Sequence, residues 1–128
     1  MKLSDNAKRV IDGKNFATVA TLLPDGSPHV SPVWVDRDGD VILINSTRAR
    51  QKTKNVKKDP RIAISIFDMT NPYSKTLIRG KVLEVTEKGA EEHIDKLSMK
   101  YTAKAKYPYH DAKDPRVLIR VEATRASE

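Results

Sequence analysis

The chain has 128 residues, enough for one domain with a real core. Lys and Arg total 24 against 17 Asp and Glu, a formal charge of +7, which favours anionic partners such as phosphate-bearing cofactors, nucleic acid or an anionic membrane surface. The absence of Cys excludes disulfides, thiolate metal sites and thiol catalysis, and no apolar run approaches the roughly 20 residues a membrane helix needs.

The opening MKLSDNAKRV lacks the apolar stretch of a signal peptide, so the expected location is the cytoplasm. Ser4 can cap a first helix whose face carries Ala7, Val10 and Ile11, with Gly13 as its stop. Phe16 to Leu23 reads as a strand, Pro24-Asp25-Gly26-Ser27 as a turn, and His29 to Val35 as the returning strand. Asp36 to Asp40 reads as a second turn and Val41 to Ile44 as a third strand, giving an antiparallel meander. Asn45-Ser46-Thr47 then opens a basic helix, about Arg48 to Lys57, ended by Asp59-Pro60. Arg61 to Phe67 is a nearly continuous apolar strand, and Asp68 to Lys75 reads as a loop. Thr76 to Val85 is a strand in which Gly80 marks a bulge or a close backbone approach. Thr86 can cap a helix to about Tyr101, a polar loop covers 102 to 115, and Arg116 to Ala123 is the last strand. Six antiparallel strands with few covering helices imply a closed or partly closed barrel forming one domain over 1–128.

The chemistry concentrates in residues 42 to 62. A helix N-terminus offers free N–H groups and partial positive charge, and Arg48, Arg50, Lys52 and Lys54 add cations, so the segment makes a seat for phosphate. The plainer reading is a solvated basic face after an ordinary cap. Pro28 and Pro32 interrupt the ladder of strand two and leave neighbouring backbone groups free for the edge of a planar heterocycle. Trp34 either packs on a ring or fills the core. Arg79 either pairs with a local acid or meets an anionic ligand, and Tyr101, Tyr107 and Tyr109 offer a pocket wall. His29, His93 and His110 have no ligand spacing, so no metal site is expected, and no nucleophile or dinucleotide motif occurs.

The ordered set FATVATLLPDGSPHVSPVWV (16–35), ILINSTRARQKTKNVKKDPRIAISI (42–66) and RGKVLEV (79–85) resembles the pyridoxamine-phosphate-oxidase-like split-barrel family of flavin and deazaflavin enzymes. The resemblance implies a mainly β, six-stranded antiparallel split barrel, FMN-binding in type, working as a homodimer with cofactor between subunits. It implies that Ser46, Thr47 and Lys52, with Arg48 and Lys54, hold the cofactor phosphate, and that Asn55 is the Asn of that helix. Ser31, Pro32, Val33 and Trp34 match the strand lining the flavin ring, and Arg79 a strand position reaching the cofactor across the interface. Gln51 stands where many relatives carry Arg. True pyridoxamine phosphate oxidases continue into an Arg-containing substrate segment that has no counterpart after Glu128, so the short form looks more like the branch dependent on coenzyme F-420.

The resulting expectation is an oxidoreductase passing hydride from the deazaflavin to a small conjugated substrate, with no catalytic acid identified. An FMN-binding relative is the alternative, as is a non-catalytic flavin or tetrapyrrole module. A nucleic-acid-binding barrel fits the charge, but the few aromatics are not interleaved with the basic run.

Overall fold

The computed structural model describes residues 1–128. Helix α1 is Asp5–Asp12, and strands β1 (Ala17–Leu22), β2 (Pro28–Val33), β3 (Asp36–Asp38) and β4 (Val41–Thr47) follow. Helix α2 is Gln51–Lys58, β5 Arg61–Asp68, β6 Asn71–Thr86, α3 Ala90–Thr102 and β7 Arg116–Ser127. All strands join one antiparallel sheet in the order β2-β1-β5-β6-β7-β4-β3.

The topology itself demands curvature. The two edge strands, β2 and β3, are joined by Trp34 and Val35 alone. Three residue steps reach about 11 Å. The edges of a flat sheet with this many strands would stand about 29 Å apart at ~4.8 Å per step. The sheet therefore curls until its edges face each other, with no ladder between them, which is a split barrel. The 20-residue core inside it takes alternate positions of the strands, among them Val19, Ile42, Ile64, Ile78, Ile119 and Val121. Helix α1 adds Ala7, Val10 and Ile11, and its Ser4 Oγ accepts from Ala7 N–H at 3.0 Å, as the cap reading expects.

The strand count is seven rather than six. Asp36-Arg37-Asp38 reads as turn from composition, yet its backbone pairs with Val41 to Leu43, and only Gly39 (φ +60°) and Asp40 make the turn. Residues 71–75 also belong to a strand, because Asp68 pairs with Asn71 across a tight hairpin. Strand two stops at Val33, helix α3 starts at Ala90 behind Gly89 rather than at a Thr86 cap, and β7 runs on to Ser127. Gly80 sits at a register shift between β6 and β7, and a Cβ there would lie 2.7 Å from the Glu122 carbonyl oxygen. That is the close approach its position in the strand implies.

Candidate functional site

Strand β4 is buried on both faces because the barrel core covers one and helix α3 the other. Its end is where charge collects. The expected caps turn out otherwise: Ser46 and Thr47 are the last residues of β4, and Arg50 precedes α2 without a side-chain cap. Ser46 faces the barrel, fully buried, and its Oγ accepts from Thr53 Oγ1 at 2.9 Å. Asn55 donates to Thr21 Oγ1 at 3.0 Å and accepts from Gln51. These two residues tie α2 to the barrel end.

Lys52 and Thr47 differ. Lys52 is only 5% exposed, yet its ammonium makes no hydrogen bond or ion pair within the chain. Burial, with Arg50 and Arg116 nearby, pushes its pKa below the usual lysine value. Thr47 Oγ1 is buried without a hydrogen bond of ordinary geometry. The Asp114 carboxylate approaches that hydroxyl, which holds Asp114 below its usual pKa, and accepts from Ala49 N–H at 2.9 Å. At the start of α2, Thr53 and Lys54 N–H donate to the Arg50 carbonyl, whereas Gln51 and Lys52 N–H have no acceptor. A largely buried cation, two free N–H groups and a weakly engaged hydroxyl are the groups here that could hold an anion.

Arg116 completes the cluster, and the sequence reading passed over it. It opens β7 directly opposite Thr47 in the ladder and is 5% exposed. Its Nε donates to Asn45 Oδ1 at 2.8 Å, and the Tyr107 ring lies 5.2 Å from its Cζ. A cavity of about 240 Å³ opens here, lined by Arg50 and Arg116, by Pro32, Val33 and Trp34 of the stretch expected to line a flavin ring, and by Phe16 and Tyr107. Trp34 stacks on the buried Tyr101 at 5.1 Å, so it acts as both core and wall.

Not every expected residue joins. Arg48 is exposed and held by Glu87, to which its Nε donates at 3.0 Å. Lys54 is exposed on the outer side of α2. Ser31 points inward from β2 with its buried Oγ unpartnered, and does not line the cavity. Arg79 is exposed on the outer face of β6, paired in register with Arg125, and lines a shallow groove with Thr18, Ala20, Val30 and Leu77 instead. Of the remaining tyrosines, Tyr109 is 75% exposed. His93 Nε2 meets Asp36 Oδ2 at 3.0 Å, and His110 bridges Glu91 and Asp95 at 2.6 and 2.7 Å. No helix is long and apolar enough to cross a membrane.

Comparison with known proteins places this geometry. An F-420 reductase of known structure is 30% identical, superposes with a TM-score of 0.86 and aligns over 98% of each chain. A conserved hypothetical protein from Mycobacterium tuberculosis is 24% identical with a TM-score of 0.75, over 97% of this chain and 82% of the other. General stress protein 26 from Bacillus anthracis shares the fold at 14% identity and a TM-score of 0.65, over 95% and 89% of the two chains. The family model for pyridoxamine 5'-phosphate oxidase matches residues 3–128. With a split barrel and a match over nearly every residue, the chain belongs to the pyridoxamine 5'-phosphate oxidase family.

Proposed function

We propose that the protein is a homodimeric oxidoreductase that uses a phosphate-bearing flavin-type cofactor, coenzyme F-420 in preference to FMN. The observation that carries the reading is Lys52, buried with no anion of its own beside the free N–H groups of Gln51 and Lys52. An unpaired buried cation is costly, and a phosphate offsets that cost while satisfying the N–H groups. Thr47 adds a hydroxyl, and Arg50, exposed at the rim, adds charge for a second anionic group. The likeness to an F-420 reductase over the whole chain supports the deazaflavin.

The bound cofactor would supply hydride chemistry, and this chain would seat, orient and shield it. Pro32 and Trp34 give a rigid wall against which a substrate can be positioned beside the cofactor, since Trp34 is itself clamped by Tyr101. A second subunit has a place to dock. On the outer face of β2, β1, β5 and β6, Ala20 pairs with Val30 and Ala63, and Ser65 with the exposed Leu77, forming a flat apolar patch rimmed by Arg79 and Arg125. Arg79 lies at the rim of this face, where the family pattern has it reach the cofactor across the interface.

The test is turnover. Protein mixed with reduced deazaflavin and a panel of conjugated carbonyl and acid acceptors should restore the oxidised absorption band with at least one acceptor. Tight cofactor binding with no reoxidation by any of them would make the protein a carrier or sensor rather than an enzyme.

A further inference from the structure

We propose that the cavity beside the phosphate seat is a separate binding pocket for a small planar carboxylate, gripped by Arg116. On the reading above, this ligand is the hydride acceptor; its binding does not require that reading.

The pocket is built around a buried cation that nothing neutralises. Arg116 has no carboxylate within ion-pair reach. Glu91, the acid nearest in the fold, is engaged elsewhere: its Oε2 accepts from the Arg116 main-chain N–H at 2.7 Å, and its Oε1 meets His110. The guanidinium is hydrogen-bonded from one side, and the Tyr107 hydroxyl approaches it from another without a hydrogen bond of ordinary geometry. Its Nε donates to Asn45 Oδ1, and this fixes the orientation of the Asn45 amide. The Asn45 Nδ2 then donates to the Ala90 carbonyl at 2.9 Å and to His93 Nδ1 at 3.1 Å. With Nδ1 accepting, the ring carries its proton on Nε2 and donates to Asp36 Oδ2. A chain of polar groups from β3, β4 and α3 therefore anchors the Nε side of Arg116. The two terminal amino groups make no hydrogen bond of ordinary geometry within the chain, and beside the Tyr107 hydroxyl they form the fork that matches a carboxylate in two parallel bonds.

The walls select the body that carries this carboxylate. Trp34 and Tyr101 are stacked with their planes 4° apart, and Tyr107 meets Trp34 edge-on at 6.0 Å. Phe16 lies 5.6 Å from Tyr101 and lines the same space. Rings clamped in this way form a slot, and a flat, conjugated body gains from such walls while a flexible hydrated tail does not. At about 240 Å³ the cavity falls below the usual 300–1,000 Å³ of drug-sized pockets, which suits one ring rather than a tricyclic flavin. Arg50 stands exposed at the rim as a second cation that draws the anion in.

The experiment uses the cofactor-free protein with trans-cinnamate as the probe and neutral cinnamamide as its control, measured by calorimetry. Quenching of Trp34, the single Trp, reports whether the probe lies in the slot. Cinnamate should bind at least tenfold more tightly than cinnamamide and quench Trp34. Arg116→Gln should remove most of that preference, and Arg116→Lys should restore only part of it, because a lysine lacks the fork. Should Arg116→Gln fail to fold, Arg50→Gln at its exposed position should still weaken cinnamate several-fold without changing cinnamamide. Lys52→Met should weaken FMN and deazaflavin more than it weakens cinnamate. Equal binding of acid and amide overturns the proposal, as does cinnamate binding that Lys52→Met abolishes and Arg116→Gln leaves intact. Acid binding as described without reoxidation of any cofactor would retain the pocket and remove only the word acceptor.

Discussion

Replacing Lys52 by Met should move stability and affinity in opposite directions. In the cofactor-free protein Lys52 has a buried stem and an ammonium that has no partner in the chain and is reached by solvent, its pKa lowered first by burial and then by Arg50 and Arg116. The fold therefore binds its proton less readily than the unfolded chain. Below the folded pKa this disfavours folding in full, and the penalty fades as pH rises from the folded value toward the ordinary value of 10.5. Methionine keeps the length and apolar stem and removes the charge. Stability at neutral pH should rise by about 1 kcal/mol, or a few degrees in Tm. The affinity for phosphate-bearing cofactor should fall by about 1.5–3 kcal/mol, the usual range for a charge-assisted hydrogen bond, or about 10- to 100-fold. Thermal melts of both proteins from pH 7 to 10.5, with calorimetry using FMN and the deazaflavin, measure both effects. The gap in Tm should narrow as pH rises. A variant that is less stable at pH 7, or that binds both cofactors unchanged, would refute the placement of the phosphate seat.

Three further outcomes are expected. Gly80→Ala should destabilise the fold by about 1–3 kcal/mol in urea titration, because the Glu122 backbone carbonyl in its way belongs to the ladder and yields poorly; a neutral effect would mean that the bulge is malleable. The pKa of His110 is raised by Asp95 and then Glu91, so the tie of the 103–115 loop to α3 is fully present below pH ~6.5 and is lost as pH rises through the folded value. Amide exchange around Tyr107, whose N–H donates to Asp95, should accelerate over that window, and a pH-independent opening free energy would contradict the assignment. Light scattering at micromolar concentration should give a dimer, and Leu77→Glu on the apolar outer face should give a folded monomer, since obligate interfaces of roughly 2,000 Å² tolerate a central charge badly; a monomeric wild type would remove the docking face.

Most elements could be read from the chain because their signals are local. Ser4 and the Ala7-Val10-Ile11 face mark α1, and β-branched runs between turn residues mark β1, β5 and β6. What escaped depends on partners distant in sequence. Asp36-Arg37-Asp38 has the composition of a turn and becomes a strand only because β4 supplies a backbone to pair with. Ser46 and Thr47 look like caps, but β7 extends the ladder through them and delays the helix to Gln51. Lys52, on which the proposed seat rests, is marked by its spacing after the strand. Arg116 is not, since it reads as an ordinary strand start until the register sets it opposite Thr47. Arg48 carried the same local signal as Lys52, and its engagement by Glu87 depends on a residue just before α3.

A cationic seat built on Lys52 should take a phosphate-bearing deazaflavin in preference to FMN. Dissociation constants for both cofactors, measured in dilute buffer and at high salt, test it most directly. The deazaflavin carries more anionic groups to meet the exposed Arg50, and exposed contacts are screened beyond about 8 Å at 0.15 M salt. The deazaflavin should bind more tightly, with an advantage that shrinks but keeps its sign as salt rises. Tighter FMN binding at both salt concentrations, with FMN copurifying, would contradict it.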